Sequence, residues 1–266
     1  MLEKWRLIRH GPARGSWNMA VDEALLLAAE EGGSMPALRL YSWTRPTLSI
    51  GRLQKTDRLN FDFLGRQGIP VVRRPTGGRA LLHDNEVTYS ITLLEGSRLY
   101  GSLAEVYSNI TAALAQALSG LGVRPDTHAN QCSDGYFFSD ACFATRLGHE
   151  ISQGGRKVAA GAQRRMKRSA MQHGSILLTA DAERSLECLI WTDARQKNLA
   201  AESMAGLWEL TGRRVGAAEV AGGFIAALAG LYGIEYEAST LSEDEMESAR
   251  RLESGAGEPA GHAGAA

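Results

Sequence analysis

Cys142 and Lys157 are the two residues of this chain whose side chains could together form an activated nucleophile. Cys142 lies in an aperiodic segment, and Lys157 stands near the start of a run that is typical of a strand. A free thiol with a pKa of about 8.5 is mostly protonated at neutral pH, and a nearby ammonium raises the thiolate fraction. The alternative is a small buried cysteine with an unrelated surface lysine, and sequence distance alone does not decide between the two interpretations.

A glycine pair, Gly77–Gly78, could bring backbone amides close to a bound ligand. It lies between Arg73–Arg74 and His83–Asp84, and the two arginines could hold an anion. A β-hairpin turn with solvated arginines explains the same spacing equally well. Neither standard nucleotide-binding signature, GxxxxGK(S/T) or GxGxxG after a strand, occurs in the chain.

Metal binding and cysteine–histidine catalysis are the other chemistries that these residue types allow. Four residues could be placed around zinc: His128, Cys132, Cys142 and His149. Their spacing lacks the paired cysteine knuckle of structural zinc sites, so no metal is expected. Three histidines could serve Cys142 as a base, although each could equally be a structural hydrogen-bonding residue: His83, His149 and His173.

Residues 156–168 form a strongly cationic run that contains six cations and no acid: Arg156, Lys157, Arg164, Arg165, Lys167 and Arg168. Such a run could steer an acidic protein partner. The commoner interpretation is a solvated edge of a sheet, where the charges also discourage aggregation.

The segments that must position these residues mix strands and helices irregularly. Asn18 is predicted to cap a helix that runs to Leu27, and further helices are predicted over residues 56–67, 103–121, 215–231 and 242–252. Strand-like runs occupy residues 38–43, 47–50, 157–162, 175–178 and three stretches between 71 and 93 around the glycine turn. The regular alternation of a doubly wound sheet is missing, so the predicted fold class is α+β.

Composition sets limits on the class of protein. The 266 residues are 44% hydrophobic and 22% charged, which supports a substantial core and excludes disorder as the main state. The net charge of −1 argues against nucleic-acid binding, and no segment is apolar and long enough to be a signal peptide or membrane span. Three widely spaced cysteines favour a reducing compartment, so a cytoplasmic protein is predicted.

Three parts of the chain are predicted from these patterns. Residues 1–195 form the catalytic core, residues 196–253 form a C-terminal helical part packed on it, and residues 254–266 form a flexible Gly/Ala/Pro-rich tail.

Four sequence blocks, in this order, resemble the lipoate-protein ligase and octanoyltransferase family. They are NMAVDEAL at 18–25, RRPTGGRALLHD at 73–84, GRKVAAGAQ at 155–163 and QHGSILL at 172–178. The resemblance covers about residues 5–195, and the C-terminal helices resemble those of the LipM-type octanoyltransferases. It implies an α+β fold related to the biotin/lipoate protein ligase catalytic domain, with mixed or antiparallel sheets flanked by helices.

The resemblance also implies roles for individual residues. ATP-dependent ligases of this family typically carry a third glycine where this chain has Arg79, and they need no cysteine in the loop before the lysine block, so Arg79 and Cys142 favour the octanoyltransferase branch. Cys142 is then the residue acylated by octanoyl-acyl carrier protein, and Lys157 lowers its pKa and helps to hold the acyl carbonyl. Six residues are expected to bind substrate: Arg73, Gly77, Gly78, Arg79, His83 and Gly161. Family members often have Gly-Ser where Ala160–Gly161 stands, which places the local geometry and the chain-length preference in question.

Several functions of this family remain open from the sequence. The first expectation is octanoyl transfer to a lysine of a lipoyl domain or of glycine cleavage H protein, with no ATP or metal required. An amidotransferase would move octanoyl from H protein by the same cysteine chemistry, whereas an ATP-dependent lipoate ligase would keep working without Cys142. A non-enzymatic protein that binds an acylated carrier would show no covalent adduct.

Overall fold

The computed structural model describes residues 1–126 and 150–255, and a seven-stranded sheet forms its centre. The strand order is β10-β1-β2-β6-β9-β8-β7. β1 pairs in parallel with both β2 and β10, and every other pair in this sheet is antiparallel. The strands of the large sheet are β1 (Glu3–Ala13), β2 (Ala37–Trp43), β6 (Glu86–Leu94), β7 (Ile151–Gln153), β8 (Arg156–Arg165), β9 (Ser169–Leu177) and β10 (Ile234–Ser239).

A second, smaller sheet has the order β4-β3-β5. Its strands are β3 (Thr47–Ile50), β4 (Val71–Arg73) and β5 (Leu81–His83), with β3 parallel to β4 and antiparallel to β5. The glycine pair lies in the connection between β4 and β5. The two sheets and their mixed pairing confirm the predicted α+β class.

Helices cover both faces of the large sheet, and successive residues of its central strands are buried on both faces. Leu38 and Leu40 of β2 pack in the core with α3 and α7, whereas Ala37 faces the opposite side, where α1 and α8 pack on each other. The helices are α1 (Gly15–Glu30), α2 (Phe61–Gln67), α3 (Leu103–Gly120), α4 (Ala182–Glu187), α5 (Ala194–Glu202), α6 (Leu207–Thr211), α7 (Ala217–Tyr232) and α8 (Glu243–Gly255). None of them is long and apolar enough to cross a bilayer.

The start of α1 differs from the prediction. The helix begins at Gly15, so Asn18 lies inside it and does not cap it, and the prediction of an Asn18 cap is wrong. The Asn18 side chain is fully buried and donates to the Ser42 carbonyl, while its oxygen accepts from Arg39. A tertiary role for this amide replaces the local one. α2 begins at Phe61, later than predicted, with the Asn60 side chain accepting from the Phe63 amide.

The C-terminal part contributes a strand as well as helices. β10 pairs in parallel with β1 and thereby forms one edge of the large sheet. The alternation of Ile234, Glu235, Tyr236 and Glu237 is a period-two pattern that indicates this strand. The boundary at residue 195 stays a prediction.

Candidate functional site

A cavity of about 340 Å³ is lined by residues of both sheets, α1 and α3. Five of the six residues predicted to bind substrate line it: Gly77, Gly78, Arg79, His83 and Gly161. Each of the four sequence blocks contributes to the lining, and Met19, Gly77, Gly161 and His173 represent them in chain order. The structure therefore brings together blocks that lie more than a hundred residues apart in the sequence.

One part of the cavity wall is apolar and made of small or flexible side chains. The apolar lining residues are Met19, Leu81, Ala160 and Ala162, with the Tyr107 ring beside them. Two further glycines, Gly161 and Gly174, form a cross-strand pair between β8 and β9. A Cβ on Gly174 would lie 2.6 Å from the Tyr89 hydroxyl, so these glycines make room for the Tyr89 ring across the sheet.

The glycine connection between β4 and β5 is held by the buried side chain of Arg74. Its Nε donates to the Gly77 carbonyl at 3.0 Å, and its Nη2 donates to the Arg79 carbonyl at 2.7 Å. Gly78 has a φ of 94°, which favours glycine, and a Cβ there would lie 2.6 Å from Arg74 Nη2. The amides of Gly77 and Gly78 donate to no other described residue, so both remain available to a ligand in the cavity.

The first polar network behind this connection links Arg74 to a buried carboxylate. Arg74 Nη1 donates to Ser49 Oγ at 3.0 Å, and Ser49 Oγ lies 2.8 Å from His83 Nε2. His83 Nδ1 lies 2.7 Å from Glu86 Oε1. Because a carboxylate only accepts, His83 Nδ1 carries a proton and donates to Glu86. The His83 ring also stacks on Trp43 with 4.0 Å between centroids.

Glu86 is buried, and only one of its oxygens is satisfied. Oε1 accepts hydrogen bonds from Thr88, Ser175 and Trp43 in addition to His83, whereas Oε2 has no hydrogen-bond partner in the part of the chain that the structure describes. Burial alone would raise the pKa of Glu86, but His83 and the hydroxyl donors outweigh it and lower that pKa.

The second polar network joins α1 to β9 and to the glycine connection. Asp22 Oδ1 accepts from Arg39 at 2.6 Å, and its Oδ2 accepts from Tyr41 at 2.8 Å and lies 3.0 Å from His173 Nδ1. His173 Nε2 is 2.6 Å from the Thr76 hydroxyl, immediately before the glycine pair. In the neutral imidazole, Nδ1 donates to Asp22 and Nε2 accepts from Thr76.

Burial and charge set the ionisation of this network. Burial lowers the pKa of His173, and Asp22 offsets part of that effect. Burial would raise the pKa of Asp22, but Arg39, His173 and Tyr41 lower it below its usual value. The result is a buried ion pair of Asp22 and Arg39 that holds a neutral histidine against the cavity.

Lys157 is buried at the start of β8, close to the cavity. Its Nζ lies 2.7 Å from Glu150 Oε1, and Glu150 is one of the lining residues. The Lys157 amide donates to Ser203, and its carbonyl accepts from Ala205, so the connection between α5 and α6 fixes its backbone. Cys142 lies outside the described residues, and the proposed pairing of Cys142 with Lys157 stays a prediction.

Arg73, the sixth residue predicted to bind substrate, does not line this cavity. It is exposed, and its Nη1 donates to the carbonyls of Gly51, Arg52 and Gln54. It lines a neighbouring cleft instead.

Several cations of the run 156–168 contact other residues of the same molecule. Arg156 pairs with Glu209, and Arg164 pairs with Glu23 at 2.5 Å. Arg165 donates to the Gly101 carbonyl and lies over the Tyr100 ring.

The remaining cysteine and metal candidates divide between described and undescribed residues. Cys188 is buried against the Arg184 carbonyl, and burial raises its pKa to about 12, so it is a poor nucleophile. Cys132, His128 and His149 lie outside the described residues. Among residues 1–126 and 150–255, no group of three metal-ligating side chains occurs.

Two of the four sequence blocks contain Asp22 and His173, but sequence patterns indicate no site role for Asp22 and offer His173 only as a candidate base for Cys142. No sequence pattern indicates a role for Glu86, and Arg74 is predicted only as one of two arginines that could hold an anion. A charged residue such as Asp22 among apolar positions of a buried helix is a usable signal, because burial of a carboxylate requires a partner. The partner itself, 151 residues away in the case of His173, is visible only in the fold.

The sequence-family model of the lipoyl protein ligase A/B catalytic domain matches residues 14–229. This range includes both polar networks and all residues that line the cavity. The chain belongs to this family. Full-length relatives agree: it is 37% identical over 262 residues to octanoyltransferase LipM of Kyrpidia tusciae, covering 94% of this chain and 95% of that protein. It is 34% identical over 262 residues to octanoyltransferase LipM of Bacillus subtilis, covering 94% of each.

Solved structures show the same fold. A lipoate-protein ligase A bound with ATP superposes with a TM-score of 0.78 at 20% identity, covering 96% of this chain and 95% of that chain. A putative lipoate protein ligase from T. acidophilum with bound lipoic acid gives 0.76 at 21% identity, covering 95% of each chain. With relatives of the family aligned over nearly its whole length, the chain is an acyltransferase.

Proposed function

We propose that this member of the lipoyl protein ligase A/B family transfers an octanoyl group from octanoyl-acyl carrier protein to a lysine of a lipoyl domain or of glycine cleavage H protein. The observation that carries the proposal is the cavity where the four sequence blocks meet, with an apolar part of its wall and the Gly77 and Gly78 amides, which donate to no other described residue. Two properties support it further: the relatives named octanoyltransferase, and a volume of about 340 Å³ that suits a small acyl group.

The first step of the proposed reaction is a thioester exchange. The Cys142 thiolate attacks the carbonyl carbon of the carrier thioester, the bond to the carrier sulfur breaks, and the carrier leaves as a thiol after taking up one proton. One thioester replaces another of similar energy, so the step requires neither ATP nor a metal. Lys157 supports the thiolate as a cation, while the Gly77 and Gly78 amides are the donors for the tetrahedral oxyanion.

The second step is aminolysis of the octanoyl-Cys142 thioester. The ε-amine of the acceptor lysine attacks the same carbonyl carbon, the carbon–sulfur bond breaks, and the amine loses a proton as the amide forms. An amide is more stable than a thioester, so this step drives the transfer forward. The neutral His173 and the Glu86-bound His83, which both line the cavity, keep its polar wall fixed during the exchange.

Intact-protein mass spectrometry tests the acyl-enzyme. Mixing the protein with octanoyl-acyl carrier protein, without ATP, is expected to add one octanoyl group to the wild type and to Cys188→Ala, whose thiol is buried. Cys142→Ala is expected to show no adduct, Cys142→Ser to lose transfer and Lys157→Ala to slow adduct formation strongly. Adding a lipoyl domain or H protein should then discharge the adduct.

Other results would assign the chain to another reaction. ATP-dependent lipoylation that persists in Cys142→Ala would make it a ligase. An adduct formed only from octanoyl-H protein would make it an amidotransferase, and carrier binding with no adduct from any donor would make it a non-catalytic carrier-binding protein.

A further inference from the structure

A second cleft, of about 550 Å³, adjoins the 340 Å³ cavity described above, which we call the acyl cavity. The start of α1, the connection between β2 and β3, and strand β4 form it, and Met19 and Arg74 line both spaces. Among the described residues, six arginines and a single acid, Glu23, line this cleft, which we call the arginine cleft. The arginines are Arg14, Arg45, Arg52, Arg73, Arg74 and Arg164.

The arginine cleft keeps a positive charge because several of its guanidinium groups form no ion pair with any described residue. Arg14 pairs with Glu253 and Arg164 with Glu23. Within the described parts of the chain, Arg45, Arg52 and Arg73 form no ion pair; Arg73 donates to backbone carbonyls, and the side chains of the other two are exposed. This arrangement contrasts with the run 156–168, in which intramolecular acids neutralise several of the cations.

The rim of the cleft is also held rigid and presents an apolar side chain. Arg73 fixes the backbone after β3 through three carbonyls, and the Arg52 amide donates to the Thr76 carbonyl at 2.8 Å. Leu53, next to Arg52, is 90% exposed. An exposed leucine beside Arg52 is suited to contact a protein surface that combines acidic and apolar residues.

We propose that the arginine cleft binds the acyl donor: the phosphodiester of its phosphopantetheine arm and the acidic carrier surface from which the arm emerges. This inference rests on the proposed function. Guanidinium groups bind phosphate oxygens through paired hydrogen bonds, and the position of the cleft beside the acyl cavity lets the arm place its thioester there.

The charge of the cleft fits the donor arm. The phosphodiester of the arm is an anion beside the thioester, and the arginines that line the cleft attract it while the thioester lies in the acyl cavity.

Steady-state kinetics with two donors test the proposal. In the double variant Arg45→Glu and Arg52→Glu, KM for octanoyl-acyl carrier protein is expected to rise at least about tenfold with kcat unchanged, because both substitutions reverse charges that guide and hold the carrier. Transfer from octanoyl-pantetheine, which lacks both phosphate and carrier, should stay at the wild-type rate. The control Arg66→Glu and Arg195→Glu changes the net charge equally at exposed residues outside the cleft and should leave both donors unaffected.

A binding measurement separates this proposal from the proposed transfer. Calorimetric titration with holo-acyl carrier protein is expected to show weaker binding to the cleft variant than to the wild type or the control, and the difference should shrink at high salt. If the wild type transfers octanoyl but KM for the carrier is unchanged in the cleft variant, the cleft assignment is wrong. A rise in KM for the acceptor alone, or equal losses with both donors, also overturns it. If the wild type transfers from no donor while carrier binding still depends on Arg45 and Arg52, the docking assignment stands and the proposed transfer fails.

Discussion

Two buried chains of a carboxylate, a histidine and a hydroxyl converge on the same glycine connection. One runs from Asp22 through His173 to Thr76, and the other from Glu86 through His83 to Ser49 and on to Arg74. Both imidazoles line the acyl cavity. The chains have the same sequence of functional groups, but their carboxylates are compensated differently.

Asp22 is balanced by a buried arginine, whereas Glu86 is held by a histidine, two hydroxyl groups and an indole N–H. Arg39 and Asp22 are both fully buried and form an ion pair, and each Asp22 oxygen has a partner. Glu86 Oε1 accepts several hydrogen bonds, whereas Oε2 has no partner among the described residues. We infer that the Asp22 network is the rigid support of the glycine connection, while the Glu86 network tolerates loss of its charge.

The largest expected effect is that of Asp22→Asn. It leaves the Arg39 guanidinium buried without an anion, so the free energy of unfolding should fall by about 3–5 kcal/mol in urea titrations. A loss below about 1 kcal/mol would contradict the view that this ion pair supports the fold.

Gly78→Ala should have the next largest effect. The alanine must adopt a φ near 94°, and its Cβ must displace the Arg74 guanidinium, so the loss should be about 2 kcal/mol. Gly77→Ala is the matched control, since a Cβ there meets nothing within 4 Å and its stability should change by less than about 0.5 kcal/mol. Equal losses at the two positions, measured by chemical denaturation, would show that Arg74 does not restrict the connection.

Glu86→Gln is expected to cost about 1 kcal/mol or less, because the amide oxygen can still accept from His83 and the hydroxyl groups, and no buried arginine loses its partner. The variant and Asp22→Asn should be compared in the same buffer. A loss as large as that of Asp22→Asn would remove the distinction between the two networks.

The smallest expected effect is a dependence of folding stability on pH, which falls in two separate pH ranges. The pKa of His173 is lowered by burial, so the unfolded chain binds more protons and stability should decline as pH falls below about 6.5. The pKa values of Asp22 and Glu86 are also lowered, so their contribution is present above about pH 4 and is lost as pH falls through their folded values.

Thermal unfolding from pH 8 to pH 3 measures both ranges. His173→Gln should reduce the slope of stability against pH in the upper range and leave most of the slope in the lower range. His10 should account for the slope that remains in the upper range, because burial lowers its pKa too. An unchanged upper slope in His173→Gln would show that burial does not lower the pKa of His173 in the folded protein.

Much of the fold could be predicted from local pattern. β2, β3, α3 and α7 have clear periodicity and lie where the sequence predicts them. β1 was not predicted, because its buried residues, Trp5 and Ile8, do not alternate and its pairing is irregular near Pro12. Parallel pairing with a strand more than 200 residues away leaves no local sign.

The site divides in a similar way. Each of the four blocks contributes residues to the cavity lining, and their order and identity carry the family resemblance. Their hydrogen-bond partners could not be predicted, because Arg74 reaches backbone carbonyls and His173 reaches Asp22 only after the sheets have packed. Arg73 illustrates the limit: it stands beside Arg74 in sequence but faces the arginine cleft and not the acyl cavity.

The parallel pairing of β1 with β10 has a consequence for biosynthesis. Residues 3–8 obtain their last partner only when residues 234–239 have left the ribosome, so one edge of the large sheet stays open through most of translation. Lys4 and Arg6 lie on that edge, and an exposed strand with such charges resists pairing with other chains. Their ion-pair partners, Glu237 and Glu245, belong to the same late segment. The charges that protect the nascent edge thus become part of the contacts that close it.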